Sequence, residues 1–342
     1  MQHVLPAQDH QSELRVLEGH RPPRPNVSYI DQIVGEAEDG ILFSYFSGPL
    51  RRFDVDVVHI HQPHALFGGR PGSGDLPQSD LVLSALAFRL VRKLKKHGIA
   101  LVQTVHGPEA RTTARWRRIL DRATSTFITL DKNTPTPDPR RTVCIPHAHY
   151  RDRFLGYPRA EMVQGRVLCL APDRLERAAQ GPLRVFPLVQ TPGLTLRLAG
   201  EGDPGLRSDV ERGSDHGQRT VTMRMERLSD AAMLQELTAA ELVVLPAIET
   251  LGDENLLFLA LSMDRPVMVP SSPALQDLAQ EVGPRWVHLH DGPVTAELID
   301  HTMEQLRSLP PAREPMLEDR SIDATARRYA EAFRSAAVSR AR

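Results

Sequence analysis

A chain of 342 residues is long enough for about two domains. Its 42 basic and 43 acidic residues almost cancel, which excludes the strong positive field expected of a protein that binds nucleic acid. The two cysteines exclude a disulfide framework and a cysteine-rich zinc site, and no stretch reaches the roughly 18 to 20 apolar residues of a membrane-spanning helix. We therefore expect a cytoplasmic protein, either soluble or peripheral at the inner face of the plasma membrane.

Short apolar runs typical of strands recur along the chain, and stretches with helical spacing separate them. Runs of this length favour parallel strands that helices cover on both faces. The predicted strands span residues 41–46, 55–60, 100–105, 126–130, 142–145, 167–170, 194–199, 221–225, 242–245, 267–269 and 287–289. The pattern therefore predicts an α/β fold.

An irregular stretch at residues 150–165 separates two series of predicted strands. It divides the chain into two α/β domains of similar size, residues 1–160 and residues 161–319. Apolar residues within 320–342 recur at helical spacing and leave one apolar stripe. One arrangement that this stripe allows is for the last helix to pack back onto the first domain.

The run from Glu241 to Pro270 indicates a strand, a polar loop, a helix and a second strand. In open α/β sheets the crevice at the carboxyl ends of the strands binds ligands, and a helix amino-terminus there offers unpaired N–H groups to a phosphate. Glu249 and Glu254 bracket the loop, and Asn255 follows as a helix cap or hydrogen-bond partner. We therefore expect a ligand that carries phosphate at this loop.

Two further groups of residues follow strands of the second domain. Gly200 and Gly202 come after the predicted strand at 194–199, and glycine lets a backbone approach a ligand closely. Arg174 and Arg177 come after the strand before it, and a guanidinium binds a phosphate through two N–H groups. An ordinary turn and an ordinary helix surface are the alternative interpretations of these two groups.

Histidines stand at the ends of two predicted strands of the first domain. His59 and His61 share one face of a strand end, and His64 follows in the loop. His106 ends a later strand, and Glu109 follows it after a glycine and a proline that favour a turn. We expect His106 and Glu109 at the carboxyl edge of the sheet.

Two other interpretations of these histidines remain open. A histidine at a strand end often serves as a hydrogen-bonded packing residue, which would make His59 and His61 structural. By ligand type, His59, His61, His64 and His106 could also bind a metal ion, although nothing in the sequence fixes their geometry.

Six segments form one series over most of the chain. They are PRPNVSYIDQIV at 23–34, DVVHIHQPH at 56–64, LVQTVHGPE at 101–109, IPHAHYRDRF at 145–154, LRLAGEGDP at 196–204 and LPAIETLGDENLLFLALSMDRPVMVP at 245–270. Their order and spacing resemble the GT-B class of glycosyltransferases, particularly the xanthan-type β-mannosyltransferases of bacterial exopolysaccharide synthesis. The resemblance implies two Rossmann-like domains whose parallel sheets face a central cleft.

The resemblance also implies a reaction. It is the transfer of a hexose from a UDP- or GDP-sugar to a glycan or a polyprenyl-diphosphate-linked acceptor, with no metal and no cofactor beyond the nucleotide-sugar substrate. His106 and Glu109 would be catalytic, and His61 and His64 would lie on the acceptor side. The donor-binding residues would be Gly200, Gly202, Arg174, Arg177, Glu249, Glu254 and Asn255.

The chain also departs from the pattern of these enzymes. Relatives often carry a glycine and a lysine where this chain reads Ala171 to Arg174, and Tyr-Arg where it has Ala247 and Ile248. The loss of a basic residue at the donor loop leaves two alternatives open. One is a catalytically degenerate GT-B scaffold that binds glycan or a partner enzyme, and the other is a sugar-nucleotide epimerase. For a transferase we favour inversion at the transferred sugar.

Two predicted helices of the first domain are rich in basic residues. Lys93, Lys95 and Lys96 close one of them before a glycine, and arginines surround Trp116 in the other. Cations in a last turn complement the helix dipole, so a solvated helix end accounts for the first cluster. The alternative is contact with anionic lipid, to which each basic residue near the surface would contribute roughly 1 kcal/mol.

Overall fold

The computed structural model describes residues 13–19, 29–46, 54–61, 63, 67, 79–107, 114–171, 175–214, 221–246, 255–309 and 314–341. Within these residues twelve strands form two six-stranded sheets, and every pair of neighbouring strands is parallel. The predicted α/β fold with two parallel sheets is confirmed.

The first sheet has the order β2-β1-β3-β4-β5-β6. Its strands are β1 (Leu14–Glu18), β2 (Ile41–Tyr45), β3 (Val57–Ile60), β4 (Ala100–Val105), β5 (Thr126–Thr129) and β6 (Thr142–Cys144). The helices in this half are α1 (Tyr29–Gly35), α2 (Asp80–Lys96) and α3 (Arg115–Ala123).

The second sheet has the order β12-β11-β10-β7-β8-β9. Its strands are β7 (Arg166–Leu170), β8 (Thr195–Gly200), β9 (Val221–Met225), β10 (Leu242–Val244), β11 (Val267–Pro270) and β12 (Val287–His290). The helices in this half are α4 (Leu175–Val185), α5 (Pro204–Ser214), α6 (Asp230–Thr238), α7 (Asn255–Ser262), α8 (Pro273–Val282) and α9 (Ala296–Ser308).

Strand β1 is the element that the sequence pattern misses, and the eleven predicted strands are all present. Arg15 and Glu18 interrupt its apolar residues, so β1 lacks the continuous run by which the others are identified. It nevertheless lies inside the sheet, where it pairs with both β2 and β3, and Val16 is fully buried. This position places Glu18 beside His59 in the strand register.

The last helix, α10 (Ile322–Ala341), packs on the first sheet against β3 and β4. Tyr329 and Phe333 are buried there, and the ring of Phe333 lies 6.0 Å from that of Phe43. The chain thus returns from the second half to the first at its end. The domain boundary near residue 160 falls between β6 and β7 and stays a prediction. Among the helices described above, none is both long and apolar enough to cross a bilayer.

Candidate functional site

The carboxyl edge of the first sheet carries a buried polar network. Glu18 ends β1, and His59 and His61 lie at the end of β3, because parallel strands bring their carboxyl ends to one edge. The Glu18 Oε1 atom is 3.0 Å from His59 Nδ1, and Glu18 Oε2 is 3.1 Å from His61 Nε2. One carboxylate therefore holds two imidazoles at once, in a place that excludes water.

This network fixes which atoms carry protons. An ionised carboxylate only accepts hydrogen bonds, so His59 Nδ1 and His61 Nε2 both donate to Glu18. Burial alone would raise the pKa of the Glu18 carboxyl, but the charge of His59 and the hydrogen bonds from both histidines bring that pKa well below its usual range. Burial, helped by the charge of His59, holds the pKa of His61 far below its ordinary value, so His61 is neutral.

Two tyrosines extend the network to the last helix. Tyr29, the first residue of α1, places its hydroxyl 3.2 Å from His61 Nδ1 and 3.0 Å from the hydroxyl of Tyr329 on α10. Because neutral His61 presents a lone pair at Nδ1, the Tyr29 hydroxyl donates to it and accepts from Tyr329. The structure thus links α1, β1, β3 and α10 through one continuous chain of hydrogen bonds.

His106 follows β4 and lies against this network. Its ring centroid is 5.7 Å from that of His61 and 6.1 Å from that of Tyr29. Burial first, and then the charges of His59 and His147, lower the pKa of His106 to about 4. Its Nδ1 is buried and has no hydrogen-bond partner in the described part of the chain. His106 is therefore a neutral imidazole that can accept a proton, and its ring packs against those of His61 and Tyr29.

Asn255 joins this edge to the second half. It is the first residue of α7, and its Oδ1 accepts from the Tyr29 backbone N–H at 3.2 Å and from the Tyr150 hydroxyl at 2.8 Å. The backbone N–H can only donate, which assigns the amide oxygen to this side. The two N–H groups of Nδ2 then have no acceptor among the described residues. The start of α7 thus lies against the first residue of α1.

His147 supports the same contact. It lies in the connection after β6, and its ring stacks on that of Phe258 in α7 with the centroids 4.4 Å apart. Its Nδ1 donates to the Ala148 carbonyl oxygen at 2.7 Å, and burial lowers its pKa to about 4. The connection between the two halves is therefore packed directly on the helix that follows the predicted donor loop.

Of the two glycines predicted to bind the donor, Gly200 and Gly202, the first is required by the backbone conformation. Gly200 ends β8 with φ +138°, and a Cβ atom there would overlap the carbonyl oxygen of Ala171. Gly202 has less severe neighbours, with the nearest side-chain atoms 3.3 to 3.4 Å from such a Cβ atom. The crowding between the ends of β7 and β8 thus requires glycine at 200 without a ligand, and a donor contact of either glycine stays a prediction.

The structure places the remaining predicted site residues as follows. Arg177 is exposed in the first turn of α4, at the carboxyl edge of the second sheet. His61 is buried with both ring nitrogens hydrogen-bonded, and its place on the acceptor side stays a prediction. His64, Glu109, Arg174, Glu249 and Glu254 lie outside the described residues. Of the predicted set, His106, His61 and Asn255 are brought together, all three around Tyr29.

Sequence reasoning missed Glu18, Tyr29, Tyr329 and His147. Glu18 follows only two consecutive apolar residues, Val16 and Leu17, and this run is too short to predict a strand end. Tyr29 and Tyr329 are 300 residues apart, and no feature of the sequence near either of them predicts their contact.

Glu18, His59 and His61 also form the kind of group that can hold a metal ion. One ligand atom from each lies within 4.8 Å of the others, and two histidines with one carboxylate are a common zinc set. However, the atoms concerned are joined directly by hydrogen bonds of 3.0 and 3.1 Å. These bonds account for the geometry without an ion.

Comparisons with known proteins add to this geometry. No protein-family model matches the chain. The chain is 31% identical over 317 residues to the GDP-mannose:glycolipid 4-β-D-mannosyltransferase of Xanthomonas campestris pv. campestris, and the match covers 90% of this chain and 88% of that protein. This similarity extends through both halves.

Solved structures show the same architecture. Anabaena Alr3699/HepE in complex with UDP matches 96% of this chain and 97% of its own, with a TM-score of 0.53 and 12% identity. AviGT4, a glycosyltransferase involved in avilamycin A biosynthesis, matches 95% of this chain and 98% of its own, with a TM-score of 0.50 and 18% identity. At these identities the likeness shows the fold alone, and that fold is GT-B, as the resemblance implies.

Proposed function

Because the chain belongs to the glycosyltransferase family of the Xanthomonas GDP-mannose:glycolipid 4-β-D-mannosyltransferase, we propose that it transfers mannose from GDP-mannose to a glycolipid in exopolysaccharide assembly. The observation that carries the proposal is the identity of 31% over 90% of the chain. The packing of neutral His106 on Tyr29, whose backbone N–H binds Asn255 at the start of α7, supports it, since an acceptor base and a diphosphate site must face each other across the cleft.

In the proposed reaction the acceptor hydroxyl oxygen attacks the anomeric carbon of the donor sugar. The bond from that carbon to the diphosphate breaks, and the hydroxyl proton passes to a base. His106 is the described residue suited to this role, because it is neutral and makes no hydrogen bond through Nδ1 in the described part of the chain. Glu109 is the alternative base, and we favour a single displacement with inversion.

Positive charge must stabilise the departing nucleoside diphosphate. We assign this role to the N–H groups at the start of α7, to the amide N–H groups of Asn255 and to Arg177 at the start of α4. Arg174, Glu249, Glu254, Gly200 and Gly202 complete the proposed donor site as the resemblance implies. With these donors the reaction as proposed uses no metal ion and no cofactor.

A surface of the first half suits an acceptor held in a membrane. On α2 the apolar side chains Leu81 and Phe88 are 72% and 54% exposed, and Lys95 and Lys96 are exposed in the last turn of the same helix. Helix α3, which packs on α2, adds the exposed Arg118. We propose that this surface holds the protein at anionic lipid, where apolar burial and electrostatic attraction add.

The first experiment is a thermal-shift series with GDP, GDP-mannose, UDP and UDP-glucose. A ligand that binds only the folded state raises the melting temperature, increasingly as its concentration exceeds the dissociation constant. We expect the largest shift from the GDP compounds. In a second assay, we expect mannose transfer from GDP-mannose to a glycolipid in anionic vesicles. That transfer should weaken when Lys93, Lys95 and Lys96 are replaced by glutamine.

The outcomes separate the alternatives. No shift with any nucleotide would contradict a working donor site and favour the degenerate scaffold. Isomerisation of a nucleotide sugar in the absence of acceptor would identify an epimerase instead. Transfer that is equally fast with the glutamine variant, at low salt, would remove the membrane part of the proposal and leave the transferase.

A further inference from the structure

We propose that Glu18 is a positioning residue of the transferase, which fixes the proton positions of His59 and His61 and thereby the placement of Tyr29 and His106 at the cleft. The inference rests on the proposed function for its catalytic consequence. Its structural part, the control of two imidazole tautomers by one carboxylate, stands on the geometry alone.

The first step is the cost of burying this group. Glu18 has no exposed surface, and a buried carboxylate lowers stability unless hydrogen bonds and charge compensate for its loss of water. Two histidines, His59 and His61, lie within hydrogen-bond distance of its two oxygens and supply part of that compensation. An apolar residue would fill the same place in an ordinary sheet, so the network needs an explanation beyond folding.

The second step is the set of proton positions that the carboxylate imposes. Two acceptor oxygens require two N–H donors, so the proton of His61 is on Nε2 and His59 carries one on Nδ1. His61 Nδ1 must then accept from Tyr29, and Tyr29 must accept from Tyr329. The proton positions of His61 and Tyr29 therefore follow from the ionised carboxylate, and His59 Nε2 lies 2.8 Å from the Thr104 hydroxyl.

The third step connects the chain to His106. Its ring packs against those of His61 and Tyr29, so a movement of either ring would change the packing of His106. The backbone of Tyr29 also binds Asn255 at the start of α7. A rearrangement at Glu18 would therefore reach both the proposed base and the helix of the proposed donor site.

The variant Glu18→Gln tests this because it keeps the shape and removes one acceptor. The amide of glutamine accepts at its oxygen but donates at its nitrogen, so one of the two histidines must present a lone pair. That histidine has to move its proton to the other ring nitrogen. For His61, the Tyr29 hydroxyl would then have to accept instead of donate.

The readout is the pattern of imidazole ¹H–¹⁵N correlations in ¹⁵N-histidine-labelled full-length protein, assigned with His59→Asn and His61→Asn. In the unaltered protein we expect a proton on Nδ1 of His59 and on Nε2 of His61. In Glu18→Gln we expect one of them to change tautomer and the His106 signals to shift. Turnover should fall by about 10- to 100-fold, as expected for a misplaced catalytic group, with KM for GDP-mannose within about twofold.

Glu236→Gln is the matched control. Glu236 is a similarly buried carboxylate whose Oε1 lies 2.6 Å from Arg197 in the second half, so its change tests general destabilisation. We expect its histidine tautomers and its turnover to match those of the unaltered protein at a temperature where both are folded.

Several results would overturn the inference. One is a pair of tautomers in the unaltered protein other than those stated, which needs no variant to fold. Another is Glu18→Gln with unchanged tautomers and turnover within about twofold of the unaltered protein, and a third is an equal loss in Glu236→Gln. If the unaltered protein transfers no sugar, the proposed function fails, while the tautomer measurement still decides the role of Glu18.

Discussion

The carboxyl edges of the two sheets are built in different ways. At the first edge, side chains from β1, β3, α1 and α10 form a buried network around Glu18, and proton positions hold it in order. At the second edge, the described constraint is in the main chain, where Gly200 lies against the carbonyl group of Ala171. Moving one proton can therefore rearrange the first edge, and adding one carbon atom at Gly200 can rearrange the second.

This difference suits two tasks. An acceptor hydroxyl needs a base with a defined lone pair, which a neutral imidazole on a fixed network supplies. A diphosphate is bound chiefly by backbone N–H groups, and a closely packed main chain sets their positions. We therefore expect changes at the first edge to affect catalysis before stability, and changes at the second edge to affect folding first.

The largest effect should come from Gly200→Ala. Its Cβ atom would overlap the Ala171 carbonyl oxygen, and φ of +138° is unfavourable for any residue with a Cβ atom. Main chain lies on both sides of the overlap, so it cannot be relieved by a side-chain rotation. We expect the free energy of unfolding in urea to fall by more than about 4 kcal/mol.

Gly35→Ala is the control for that experiment. Gly35 is the exposed last residue of α1, and apart from its chain neighbours and the helix's own backbone no atom lies within 4 Å of the position that its Cβ would occupy. Alanine favours a helix by up to about 1 kcal/mol over glycine, so this variant should be as stable as the unaltered protein or slightly more so. Equal unfolding midpoints for the two alanine variants would show that the second edge is not held by its main chain.

The sequence predicted all six described strands of the second sheet but missed one strand of the first sheet. A continuous apolar run followed by glycine was enough to place β8 and Gly200, because both signals are local. The same reasoning placed His106 at the end of β4 but did not find β1, whose charged residues break the run. It therefore could not find Glu18 as the centre of the network, or the contact of Tyr29 with Tyr329 across 300 residues.

Asn255, where the two edges meet, offers the next prediction. In Asn255→Ala, the Tyr29 backbone N–H and the Tyr150 hydroxyl lose a shared acceptor. A buried donor left without a partner costs about 1 to 3 kcal/mol, which urea unfolding would measure. Because Asn255 also begins the helix of the proposed donor site, we expect the thermal shift with GDP to decrease as well.

Ser262→Ala separates these two effects. Ser262 lies at the other end of α7, and its hydroxyl accepts from the Tyr150 backbone N–H at 2.8 Å. Its loss should destabilise the protein by a similar amount and leave the shift with GDP unchanged. If both variants lose GDP binding equally, Asn255 acts only by joining the halves, and the two edges do not meet at a donor site.

The last prediction concerns the slope of stability against pH that the histidines of the first edge produce. The pKa of His106 is about 4 in the folded protein, whereas an unfolded histidine has a pKa of about 6.5. Between these values the unfolded chain binds a proton that the folded protein does not. The free energy of unfolding should therefore fall as pH falls from about 6.5 to about 4, by about 1.4 kcal/mol per pH unit for each such proton.

His106→Gln should reduce this slope by about 1.4 kcal/mol per pH unit, because glutamine does not titrate. Urea unfolding at several pH values would measure the slope. The slope is informative even if the variant is less stable at every pH. Ser262→Ala removes no titratable group, so it is the control and should keep the original slope. If His106→Gln also keeps that slope, His106 is not held neutral by burial. The first edge would then lack the lone pair that distinguishes it from the second, and the proposed base would have to be Glu109.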